Sequence, residues 1–139
     1  MNANMSHPFS PWHIPPLFVA TATTFGGLIP FFNPALAIRD FGLPPRFETS
    51  REAHAVMILS SARISVIGAI IFSLYFRGRL QEVDTVMALL GFYIGAVDAF
   101  VCYREGMPGK ALFRGVSGAV IGVWGAVGLT GLHGGGVEI

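Results

Sequence analysis

Four stretches of this chain are apolar for close to 20 residues each, at about 14–32, 53–76, 86–103 and 111–132. A helix needs about 20 such residues to cross the hydrocarbon core of a bilayer. A water-soluble bundle would need a polar face on each helix, and "MALLGFYIGAV" and "AVIGVWGAVGL" have none. The expected fold is therefore all-α, a four-helix transmembrane bundle forming one integral membrane domain over residues 1–139. Composition agrees: only 12% of residues are charged and mean hydropathy is +0.62, where soluble domains carry about 25% charge. A formal charge of +1 leaves no basic field for nucleic acid. The single cysteine, Cys102, excludes an intrachain disulfide and a cysteine-based zinc site.

With four spans both termini share one side of the membrane. Arg39, Arg46, Arg51, Arg104 and Lys110, with Arg114 close by, fall on one face and only Arg77 and Arg79 on the other. By the positive-inside rule the long first loop and the third loop are cytoplasmic, and the termini face the lumen or exterior. The sequon Asn4-Met5-Ser6 would lie on that outer side. No Lys or Arg precedes the first apolar run, so it lacks the basic start of a cleaved signal peptide and is expected to be retained. In the first loop, Pro30 and Pro34 mark the end of the first helix, and Thr49 or Ser50 is placed to cap the second.

Helices in lipid pack where small residues let backbones approach. Gly115, Gly118, Gly122 and Gly125 make one stripe along the last span, and Gly91 and Gly95 make a pair on the third. The stripe suits a neighbour within the chain, a second copy or a partner membrane enzyme. Asp98 follows Gly95 by three residues, so it shares that close-packed face.

Arg63, in "ILSSARISVIG", is the other charge inside a span. It stands fourteen residues before Arg77, and Asp98 stands fourteen after Asp84. Antiparallel neighbours would bring both to a depth of about 21 Å from the connecting loop. The expectation is an Arg63–Asp98 ion pair, because pairing removes the penalty of two isolated charges in the bilayer. Ser60 and Ser61 lie beside it, Tyr93 is deep enough to line a cavity, and Glu52 with His54 opens the second span as a proton-handling candidate. His7, His13, His54 and His133 show no metal-ligand spacing. Trp12, Trp124, Tyr75 and Tyr103 suit interface anchors.

The segments "NPALAIRDFGLP", "SARISVIGAIIFSLYFRG" and "GAVDAFVCYREGMPGKAL" resemble a family of small four-span membrane proteins of fungi and bacteria, catalogued as domain of unknown function number 4267. Its more specific marks are the turn Asp40 to Gly42, Arg63 and Asp98; where the family pattern has a histidine near the start of the last span, this chain has Arg114. The resemblance implies the four-span architecture and no activity.

No nucleotide, flavin, haem or metal motif is present, so cofactor-free chemistry is expected. The functional expectation is an isomerase or cyclase for a hydrophobic metabolite in an internal fungal membrane such as the endoplasmic reticulum, of secondary-metabolite type. Asp98 would be its proton donor, Arg63 the residue that orients Asp98 or stabilises an anion, and Tyr93, Ser60, His54 and Glu52 the substrate contacts. The alternative is a non-catalytic membrane protein that binds lipid or scaffolds a partner enzyme.

Overall fold

The structure, a computed structural model, describes residues 8–132. The sequon at Asn4, His7 and His133 lie outside them. Four helices are long and apolar enough to cross a membrane: span one, Pro11–Phe32; span two, Arg51–Phe76; span three, Leu80–Arg104; and span four, Pro108–Val127. The described residues contain no strand. Outward side chains such as Phe18, Val56, Phe100, Leu112 and Val120 are exposed in rows along all four spans, the surface expected where hydrocarbon replaces water. The protein is an all-helical integral membrane bundle.

Two ends differ from the sequence reading, for visible reasons. Span three begins at Leu80 rather than 86 because Leu80, Val83, Asp84 and Met87 are buried while Gln81, Glu82 and Thr85 are exposed; a polar outer face hid a packed inner one. Span four stops at Val127 rather than 132, since Gly128 adopts a left-handed φ of 76° and turns the chain into the short helix Leu129–Leu132. That conformation strains any residue with a Cβ. Ser50 caps span two, its side chain accepting from the Ala53 N–H. The first loop holds a helix, Pro34–Phe41, closed by Gly42 at φ 108°.

The spans are arranged as two hairpins. Spans one and two form the first, joined by Ser65 Oγ donating to the Thr24 carbonyl at 2.5 Å. Spans three and four form the second, where the glycines meet backbone to backbone. A Cβ on Gly118 would stand 2.7 Å from the Gly91 oxygen and 2.8 Å from the Gly95 Cα, closer than real Cβ contacts allow. Gly118, Gly122 and Gly125 are buried against span three. These three glycines of the stripe are therefore filled from inside the chain.

The hairpins join at the end that carries the loop between spans two and three. Ile71, Tyr75, Leu80, Val83 and Met87 form the core there, with Val19 and Ala20 of span one. Buried His13 contacts Tyr75, Nδ1 to hydroxyl, at 3.0 Å. Asp84, 3% exposed, accepts from the backbone N–H of Thr130 at 3.2 Å and of Gly131 at 2.6 Å. Trp124 donates to Thr130 Oγ1 at 3.0 Å and stacks obliquely on Trp12. Trp12, Trp124 and Tyr75 tie spans to one another at this closed end. Toward the opposite end the hairpins part.

Candidate functional site

The parting of the hairpins leaves an open cleft of about 720 Å³ with walls from all four spans. Its inner part is apolar, with Val19, Ile64, Ile67, Leu90, Ile94 and Ile121 among its lining. Its polar residues include Asp98 and Arg114 from the second hairpin, Ser60, Ser61 and Arg63 from span two, and Asp40 from the first loop. Pockets of this size and composition accept small molecules, the few polar groups fixing orientation.

Asp98 does not meet Arg63. Its carboxylate Oδ2 stands 3.9 Å from Nη1 of Arg114. Position along a span sets depth, but partners are set by which faces touch, and spans two and three touch chiefly near their shared loop. Below it, the Gly91–Gly95–Asp98 face turns to span four. There Arg114 precedes Gly118 by four residues and lies on the same helical face. Within span three, Leu90–Ile94 form a π-turn that contributes Leu90, Gly91, Tyr93 and Ile94 to the cleft lining. Such turns displace the helical register and recur at functional sites.

Arg114 is held from a second direction. Its Nε donates to the Phe41 carbonyl at 3.2 Å, and its guanidinium lies 4.4 Å from the centre of the Phe41 ring. The Asp40 to Gly42 turn now has a physical meaning. The left-handed close at Gly42 ends the helix and leaves the Phe41 carbonyl free to accept, while the ring supplies a face for the cation. The rim beside it is braced by Arg46–Glu105 at 2.5 Å and Arg39–Glu48 at 3.0 Å, both exposed pairs.

Asp98 itself remains only partly satisfied. Its side chain is 22% exposed, and among the described residues no donor makes a hydrogen bond to it. At 3.9 Å the arginine supplies charge without a hydrogen bond. The carboxylate is thus oriented, charge-balanced and open to a third group.

Arg63 lies midway along span two, exposed and lining the cleft. Its one hydrogen bond among the described residues goes to the Leu59 carbonyl of its own helix at 3.3 Å, and no described carboxylate lies within ion-pair distance. An isolated charge near a helix centre costs about 2.5 to 3.5 kcal/mol on insertion scales.

Of the other sequence candidates, Ser60 and Tyr93 line the cleft, Tyr93 at its exposed rim. His54 and Glu52 do not line it. The His54 ring binds the Glu48 carbonyl at 2.6 Å, and Glu52 accepts from Ser50 at 3.2 Å, so both serve the start of span two. Arg114, Phe41 and Asp84 were missed as site or structural residues. Arg114 had a readable signal in its helical spacing from Gly118, and Phe41 lay within the marked Asp40 to Gly42 turn; Asp84 had none.

No curated protein and no solved structure matches this sequence. A family model described as a domain of unknown function matches residues 20–128, a region that contains most of the cleft lining, the Asp40 to Gly42 turn, Arg63, Asp98 and Arg114. The chain belongs to this family, DUF4267.

Proposed function

We propose that the protein takes a hydrophobic small molecule into the cleft and isomerises or cyclises it without a cofactor. Asp98 gives or takes the proton, and Arg114 stabilises the charge that develops on the molecule. The observation that carries this reading is a largely apolar cleft in which a carboxylate stands beside a fixed guanidinium with its own hydrogen-bonding capacity unused. A site poor in water strengthens both the proton transfer and the electrostatic stabilisation. The reading places the protein in an internal membrane such as the endoplasmic reticulum, of a fungal cell engaged in secondary metabolism. The first and third loops, which with their flanks carry most of the basic residues, face the cytoplasm and both termini the lumen.

A second reading, a non-catalytic protein that binds lipid or supports a partner enzyme, is favoured by one observation. Arg114 already ties the first loop to span four through Phe41, a structural duty. The two readings part in one experiment. The parent protein and the Asp98→Asn variant are purified from the same host, and the hydrophobic compounds that travel with each are identified by mass spectrometry. Under the enzyme reading the folded variant carries an isomer that the parent converts. Identical compounds in both proteins would leave the binding reading in its place.

A further inference from the structure

The polar groups of the cleft are distributed by depth, and one of its two cations has no counter-ion among the described residues. Span two has 26 residues and is about 39 Å long, and Arg63 lies about 18 Å from its first residue, near the middle of the membrane. Its side chain folds back toward Leu59, the direction of the first loop. Asp98 and Arg114 each stand six residues in from that same end of their spans, counted from Arg104 and Pro108. They balance each other, and Asp40 is exposed at the rim. Arg63 is therefore the one cleft cation without a described carboxylate, at a depth where water is scarce and an isolated charge is costly.

We infer that the occupant of the cleft is a hydrophobic carboxylic acid, bound as its anion with the carboxylate on Arg63. This rests on the reading of the cleft as a ligand site and names its substrate class. A planar carboxylate matches the guanidinium fork and restores the missing charge, while the apolar chain or ring system lies along Ile64, Ile67, Ile94 and Ile121. The depth selects against a phospholipid of the bilayer, whose phosphate stays at the interface, well above the midpoint of span two.

The test uses the full chain in phosphatidylcholine nanodiscs at mildly alkaline pH, with palmitic acid and hexadecanol as probes and empty nanodiscs as the blank. The parent protein is expected to bind the acid at least about tenfold more tightly than the alcohol. Arg63→Gln should remove that preference while alcohol binding persists, which also shows that the variant is folded; Arg63→Lys should retain part of the preference. Replacing part of the phosphatidylcholine by phosphatidylglycerol should leave acid binding unchanged. Equal binding of acid and alcohol, or a preference that survives Arg63→Gln, would overturn the inference while leaving the cleft a ligand site. Displacement of the acid by phosphatidylglycerol would also overturn it, by making bilayer lipid the natural anion. Absence of binding by either probe would count against the inference and against the ligand-site reading together.

Discussion

Span three carries two aspartates that receive opposite treatment. Asp84, at the closed end, is buried and gives both oxygens to backbone N–H groups of the segment after span four. Asp98, at the open end, has a counter-charge at 3.9 Å, no described hydrogen-bond donor and a side chain partly open to the cleft. The same functional group is fully committed in one place and left available in the other. Commitment marks structure: Asp84 fastens the short helix Leu129–Leu132 across the bundle. Availability marks a site, because a carboxylate in an apolar cleft with unused acceptors is completed only by something that enters.

The comparison can be broken at several points. The largest effect should come from the glycine contact that holds both aspartates' span in place. Gly118→Leu forces the Gly91 and Gly95 backbones away, and overpacking on this scale costs about 3 kcal/mol or more. Unfolding in mild detergent should show it, and a variant as stable as the parent would mean that the second hairpin is not packed through its glycines. Next, Asp84→Ala orphans two backbone donors, each worth about 1 to 3 kcal/mol when left unsatisfied. Asp98→Ala should cost less, about 1 kcal/mol, and the ratio of the two losses is the sharpest check on the division. A double-mutant cycle between Asp98 and Arg114 should give a coupling of about 0.5 to 1 kcal/mol, and the cycle between Asp98 and Arg63 none beyond error. Coupling to Arg63 instead would restore the pairing that depth alone suggests.

The smallest effect belongs to the rim. The hydrogen bond from Arg39, with its charge, holds the Glu48 carboxyl below its ordinary range against a weaker opposing desolvation. A lowered folded-state pKa contributes stability above the unfolded value that is lost as pH falls through the folded one. Because the pair is exposed, Glu48→Gln should leave stability at neutral pH almost unchanged and should remove only a slight loss on acidification.

Much of this architecture was legible because hydrocarbon imposes a simple demand, which the four apolar runs meet. The face of Asp98 was legible too, from its three-residue interval after Gly95. What periodicity could not supply was the identity of the helix opposite. Counting residues from a loop gives depth, yet the neighbour is chosen by complementary surfaces. The glycine face of span three fits the glycine face of span four, so Asp98 finds Arg114 rather than Arg63. The role of Asp84 was hidden for a different reason. Its partners are backbone N–H groups 46 and 47 residues away, created by the left-handed turn at Gly128. The cleft leaves no trace in any one span, since it arises from the angle at which the two hairpins part.

The claim that the bundle is closed at one end and open at the other is tested most directly by cysteine reactivity in membranes. Single cysteines placed at Ser61 and Ser117, which line the cleft, and at Val83 and Ile71, which lie in the closed core, are compared in a Cys102→Ala background. A small membrane-permeant maleimide should label the two cleft positions much faster than the two core positions, since access governs thiol reactivity. Equal protection at all four positions would mean that the hairpins close along their whole length, and the cleft with its proposed ligand would be lost.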